Sequence, residues 1–196
     1  MHRSGTSPRV VLYLTGAPAS GKSSTAAILG ELFSARVLSY GALLAASPAI
    51  GATHPELRRQ SSALVRVEDV RNLDDEMAHL VAGVDGHCVI DSHAVTLEPW
   101  GYRVVPFGPE DLQRIGVTAI ACLYAEPADL VSRSERDRTG RPSASTAIME
   151  RHQDLQMSLA LAYSHTAHLP VYFIRSDESP EVVARRVAHA CGLGEG

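Results

Sequence analysis

Apolar and polar positions along this chain fall into two alternating rhythms. Residues 10–14, Val10-Val11-Leu12-Tyr13-Leu14, are a short unbroken run of β-formers, and beyond a glycine-rich turn Ile28, Leu29, Leu32 and Phe33 recur at helical spacing. The exchange then repeats. Ala35-Arg36-Val37-Leu38-Ser39 reads as a second strand, and residues 40–46 as a short helix stopped near Pro48. About residues 55–82 read as a long helix whose Leu57, Leu64, Val67, Val70, Leu73, Met77 and Leu80 sit mostly three or four apart, with a gap near Gln60. Its charged positions, among them Arg58, Arg59, Arg71, Asp74 and Asp75, are expected on the solvated side. His87-Cys88-Val89-Ile90-Asp91 is a third strand that ends in an acid, and residues 92–108 read as an irregular loop. A short helix over 109–115, a fourth strand over 117–124 and a helix opened by Pro127 follow. That helix runs into an arginine-rich loop. Ser143 or Ser145 then caps a helix with Ile148, His152, Leu155, Leu159 and Ala162 on one stripe. Residues 171–174 form a fifth strand and about 180–190 a last helix.

Strands that alternate with helices predict an α/β fold, a parallel sheet covered on both faces. The length of 196 residues fits one domain with a sizeable core, about residues 9–191, without internal repeats or a domain-sized linker. The net charge of −4 and the pI near 6.1 offer no electrostatic case for nucleic acid or an anionic membrane. No apolar run approaches the ~20 residues of a membrane span, and the first nine residues lack the apolar core of a signal peptide. Cys88, Cys122 and Cys191 are odd in number and far apart, two of them in apolar runs. This is reduced usage, so a cytoplasmic protein is expected, its cysteines serving as small core hydrophobes.

The turn between the first strand and helix carries the chemistry. Gly16-Ala17-Pro18-Ala19-Ser20-Gly21-Lys22-Ser23 matches G-x-x-x-x-G-K-[ST] between a strand and a helix, the context of a phosphate-binding P-loop. Glycines let the backbone turn tightly, and successive N–H groups, including those near Ser24, converge at the positive end of the helix. Lys22 is expected on the β- and γ-phosphates and the Ser23 hydroxyl on Mg²⁺. Lys22 is also the only lysine among 18 lysines and arginines; a compact ammonium fits among phosphate oxygens where a planar guanidinium does not.

Asp91, at the end of the third strand, is the acid expected to hold Mg²⁺ beside Ser23, directly or through water. Arg133 borders, and Arg136, Arg138 and Arg141 lie in, a segment of about residues 134–146 that reads as a lid, where arginines neutralise a transferring phosphoryl group. The loop after a central strand is where α/β proteins bind ligands. His165 and His168 have no partner cluster, so zinc is not expected. The lone asparagine, Asn72, leaves no N-K-x-D guanine motif, and Asp91 is followed by Ser92 rather than by a water-activating glutamate. A small-molecule kinase is what these exclusions leave.

The P-loop, Val89-Ile90-Asp91-Ser92-His93-Ala94, Pro99-Trp100-Gly101-Tyr102, the arginine loop, His152-Gln153 and Ala162-Tyr163 together resemble the archaeal-type adenylate kinase family, over about residues 10–191. The resemblance implies a five-stranded parallel sheet in order 2-3-1-4-5 and a short lid. It implies Mg-ATP as donor, and an acceptor site between the helices of about residues 40–82 and the strand-3 loop. It also leaves self-association open. Catalysis then falls to Lys22, Asp91, Arg133, Arg138 and Arg141, and acceptor binding to Tyr40, Arg58, His93, Glu98 and Tyr102. Adenine contacts fall by position to the lid-helix arginines and to residues 175–179.

The chain also departs from the family pattern. Met157 stands where family members carry an arginine, the lid reads Thr139-Gly140-Arg141-Pro142-Ser143 with a cation and an acid missing, and Glu98 replaces a lysine or threonine. Fewer cations and an added carboxylate point to a neutral or cationic hydroxylated acceptor of the aminoglycoside type, with Asp91 or His93 orienting its hydroxyl. A nucleoside-monophosphate kinase and a non-catalytic nucleotide-binding regulator stay open as alternatives.

Overall fold

The computed structural model describes residues 8–48, 65–108, 110–136 and 144–194, without the Val67 side chain. Five parallel strands form the central sheet: β1 (Val11–Gly16), β2 (Arg36–Ser39), β3 (Cys88–Asp91), β6 (Ala119–Tyr124) and β7 (Val171–Arg175). Their order is β2-β3-β1-β6-β7, the 2-3-1-4-5 arrangement once the five are numbered among themselves. β1 is wholly buried and its residues point alternately to two cores. Leu12 and Leu14 join α1 (Lys22–Phe33) and α7 (Pro180–Cys191) on one face. Val11 and Tyr13 join α3 (Val67–Ala82), α4 (Asp111–Ile115) and α6 (Thr146–Ala167) on the other. α2 (Tyr40–Ala46) follows β2 directly, and α5 (Pro127–Arg136) packs beside the turn after β1. Pro127 opens α5 and Ser145 caps α6, accepting from the Ile148 N–H, as the sequence predicts.

Four sequence expectations need correction. Residues 92–108 are not irregular: β4 (Val95–Glu98) and β5 (Gly101–Val104) form an antiparallel hairpin, with Thr96 opposite Arg103 and Leu97 opposite Tyr102. Each strand is only four residues, too short for its alternation to stand out beside a run of turn-formers. The second concerns Asp74, expected on the solvated face, which is 3% exposed. It escapes the pattern because its carboxylate is paired inside. Third, the buried stripe of α6 is Met149, His152, Gln153, Gln156, Ala160, Tyr163 and Ala167, whereas Ile148 and Ala162 face outward. Polar Gln153 and Gln156 turn inward because backbone and hydroxyl partners await them there. Finally, Leu32 of α1 is exposed rather than part of the buried face. The first half of the predicted 55–82 helix, with its break near Gln60, lies outside the described residues.

Candidate functional site

The turn after β1 is shaped by three backbone positions. Gly16 has φ +147°, and a Cβ there would strike the Leu123 carbonyl and lie 2.8 Å from Ser20 Oγ. Gly21 caps α1 at φ +86°, and Ala19 also adopts the left-handed conformation at φ +62°. Left-handed residues alternating with right-handed ones turn successive N–H groups inward as a nest. The first turn of α1 contains no acidic residue and Gly21 offers no side-chain cap, so the helix N–H groups keep their positive end for an external anion. Ser23 and Ser24 stand exposed at that end. Lys22 Nζ donates to the Gly16 carbonyl at 2.8 Å and the Ala17 carbonyl at 3.0 Å, which holds the ammonium over the turn.

Asp91 is brought here by strand pairing: it is level with Leu14 of β1 and Ser39 of β2. The Ser23 hydroxyl donates to Asp91 Oδ2 at 2.8 Å. A hydroxyl and a carboxylate side by side are hard oxygen donors, the set Mg²⁺ takes while keeping several waters.

Beyond this pair opens a cavity of about 220 Å³. Its described lining joins Pro18, Lys22, Ser23 and Asp91 to Tyr40 and Leu44 of α2, Val65 and Val70, and the hairpin residues Thr96, Leu97, Glu98 and Arg103. His93, Phe107, Ser134, Met149 and His152 also border it. Glu98 is 6% exposed and accepts from the Thr96 hydroxyl at 3.1 Å. Arg103 donates to the Val65 carbonyl at 2.8 Å, joining the hairpin to the segment before α3. Tyr40 donates its hydroxyl to Asp74 Oδ1 at 2.8 Å. Burial, more than any neighbouring charge, raises the Asp74 carboxyl to about 6, and the Tyr40 bond opposes the rise. Burial first and the Asp74 charge second push the Tyr40 phenol far above its ordinary range, so it stays protonated.

His152, the first residue of the His152-Gln153 pair, borders the cavity although its sequence position predicts only a place on a helical stripe. It is 1% exposed, and its Nε2 lies 3.1 Å from the Val95 carbonyl. A carbonyl only accepts, so Nε2 carries the proton and Nδ1 is a bare lone pair, without a hydrogen-bond partner among the described residues. Burial lowers its pKa to about 4, the Val95 bond opposes the drop, and the Lys22 charge adds to it.

Pro18, Lys22 and Ser23 of the P-loop thus meet Asp91, Tyr40, His93 and Glu98 around one space. Tyr102 does not line it: its hydroxyl donates to the Ile148 carbonyl at 2.7 Å and its ring meets His152 edge-on, so it fastens the hairpin to α6. Trp100, at the hairpin tip, is 66% exposed. Arg133 is half-buried on α5 and outside the described lining, although its neighbour Ser134 belongs to it. Arg58, Arg138 and Arg141 lie outside the described residues. Arg175, at a predicted adenine-side position, pairs with Glu126 at 3.1 Å and Asp177 at 2.8 Å. Among the described residues no group of three or more His, Cys, Asp or Glu is arranged to hold a metal, and no helix is long and apolar enough to cross a membrane.

A family profile described as an AAA domain matches residues 15–150. A search of curated proteins finds no significant match. Among solved structures, a shikimate kinase from Bacteroides thetaiotaomicron aligns with a TM-score of 0.61 at 17% identity, over 92% of this chain and 97% of its own. A gluconokinase from Sinorhizobium meliloti aligns at 0.57 and 13% identity, over 96% of each chain. A sugar kinase from Janibacter sp. aligns at 0.57 and 12%, over 96% of this chain and 100% of its own. At such identities the likeness is one of fold, shared with these three kinases.

Proposed function

This chain belongs to the AAA-domain family, and on that footing we propose that it is an ATP-dependent phosphotransferase acting on a hydroxyl of a small polar molecule. The carrying observation is that the P-loop and the hairpin wall open onto one cavity. Lys22, Ser23 and Asp91 border the same space as Tyr40, His93, Glu98 and Arg103. A donor phosphate and a small acceptor can therefore meet without crossing solvent. The three fold relatives named above, a shikimate kinase, a gluconokinase and a sugar kinase, support the reading.

In this mechanism the nest and the α1 N-terminus hold the phosphates of ATP, and Lys22 moves from the Gly16 and Ala17 carbonyls to the phosphate oxygens. Ser23 and Asp91 would hold Mg²⁺, which when bound neutralises phosphate charge. Asp91 or His93 orients the acceptor hydroxyl, and the apolar wall of Leu44, Val65, Val70, Leu97 and Met149 keeps water away from the transfer. Arg133, together with Arg138 and Arg141 on the sequence reading, would supply the cations that neutralise the transferring group. Glu98 on the wall favours an acceptor with hydroxyl or ammonium groups, of the aminoglycoside type. Arg103 on the same wall favours a second reading, a nucleoside-monophosphate kinase of the adenylate kinase kind, because a guanidinium is the partner a phosphate needs.

A coupled ADP-release assay over polyols, hydroxy acids, aminoglycosides and nucleoside monophosphates, with Lys22→Ala as background, decides between them. Turnover of an alcohol above that background is expected. Best turnover with AMP selects the second reading, and no ADP with any acceptor sinks both.

A further inference from the structure

The polarity of the cavity wall at Tyr40 is set from behind. A phenol has one proton, and that of Tyr40 is committed to Asp74 Oδ1 at 2.8 Å, inside the protein. Tyr40 borders the cavity, and a ligand that reaches its oxygen finds lone pairs alone, because the proton is already taken. The arrangement is rigid. Tyr40 packs edge-on against Phe107 with ring centres 5.6 Å apart, and Phe107 packs against Tyr13 and Tyr163. The Asp74 bond also joins α2 to α3, which supply the Tyr40, Gly41, Leu44 and Val70 parts of the wall. Other charged or titratable groups act on Asp74: Asp111 and Arg114 from α4, and Tyr163 from α6. Arg114 is itself paired with Asp111 at 2.8 Å and with Asp75. His152 also borders the cavity, with its Nε2 proton committed to the Val95 carbonyl.

We propose that Asp74 is a positioning residue that fixes Tyr40 as a hydrogen-bond acceptor, so that the cavity takes acceptors presenting hydroxyl or ammonium groups there and turns away phosphate and carboxylate. The inference rests on the phosphotransferase reading and narrows its substrate class. An anion placed against Tyr40 Oη would meet lone pairs with no proton to donate, while a hydroxyl or ammonium completes the chain ligand–Tyr40–Asp74. Asparagine at 74 keeps an oxygen acceptor for the Tyr40 hydroxyl, and alanine removes it.

The test uses the full chain, with ATP and four probes: kanamycin, myo-inositol, gluconate and AMP. KM for probe and for ATP are measured separately in wild type, Asp74→Ala, Asp74→Asn and Tyr40→Phe. Asp74→Ala and Tyr40→Phe are expected to raise KM for whichever of kanamycin or myo-inositol is used by about tenfold, the loss of one hydrogen bond. The ATP KM stays level, discrimination against gluconate and AMP narrows, and Asp74→Asn restores wild-type behaviour to within about threefold.

Unchanged probe KM in folded Asp74→Ala and Tyr40→Phe overturns the proposal, as does failure of Asp74→Asn to restore it, or a wild-type preference for gluconate or AMP. Should Asp74→Ala not fold, Tyr40→Phe and Asp74→Asn carry the comparison. If no probe yields ADP above the Lys22→Ala background, the phosphotransferase reading falls, and calorimetric titration of the same probes decides the polarity question alone. Tighter binding of kanamycin or myo-inositol than of the anions, lost in Tyr40→Phe, upholds it, and no such preference overturns it.

Discussion

Lys22 is held over the P-loop by two of that loop's own carbonyls, Gly16 O and Ala17 O, so its ammonium waits beside the nest and has only to turn from them to an arriving phosphate. Lys22→Ala is expected to reduce kcat in the ADP-release assay by about 10²–10³-fold, the usual effect of deleting one preorganised charge donor. Lys22→Arg should not restore it, because the guanidinium is too broad for the nest. Ser23→Ala should leave the fold intact and raise the Mg²⁺ concentration needed for half-maximal ADP release by about tenfold, a loss of about 1.4 kcal/mol. Two buried titratable residues make opposite demands on pH. His152 is lowered to about 4 in the folded protein, so between about pH 6.5 and 4 the unfolded chain takes up a proton that the native one does not, and stability falls as pH drops through that window. Asp74 is raised from 3.8 to about 6, so over about pH 6 to 4 the native state gains its proton first and stability rises as pH drops. Denaturant unfolding of Asp74→Asn across pH 7 to 4 should therefore show a steeper acid loss than wild type, by at most about 1.4 kcal/mol per pH unit. An acid limb shallower than that of wild type would contradict this assignment of the two shifts.

At the scale of elements, the site is made by how β1, β4–β5 and α6 are joined. Gln153 of α6 accepts from the Ala125 N–H at 3.0 Å and donates to the Ala125 carbonyl at 3.1 Å, which secures the end of β6 beside the P-loop. Gln153→Ala leaves both backbone groups buried and unpaired, and should destabilise the protein by about 1–3 kcal/mol in urea unfolding. Gly16→Ala should lower Tm by several degrees, since a Cβ at φ +147° meets backbone that cannot move aside. These elements were unequally legible. The P-loop could be read because four spaced residue types and a flanking strand and helix make a local pattern. The β4–β5 hairpin could not be distinguished from a loop, although its Pro99-Trp100-Gly101 turn between β-formers was a usable signal. Its stability comes from contacts made elsewhere, Tyr102 to Ile148 and Val95 to His152.

Over the whole molecule, the sheet separates two cores, and the three cysteines are buried in them. Burial raises Cys88 to about 11 and Cys122 and Cys191 to about 12, so none is a thiolate near neutral pH. A thiol reagent at pH 8 should label none of them rapidly in the native protein and all three in denaturant; fast labelling of a native cysteine would contradict this packing. The parallel sheet, the P-loop with Ser23, and Asp91 at a strand end are legible in the sequence, since strand–helix alternation and a contiguous motif are one-dimensional patterns that a parallel sheet converts directly into position, whereas the strand order comes only from the resemblance to a known family. Asp74 behind Tyr40, His152 on the cavity wall and the inward glutamines of α6 are not legible there. They are polar residues at positions where a helical pattern asks only whether a side chain is apolar. Whether such a residue faces water or a buried partner depends on what lies across the interface, and in this chain the partners are tens of residues away: 34 between Tyr40 and Asp74, 57 between Val95 and His152. Only the folded chain brings them within a hydrogen bond.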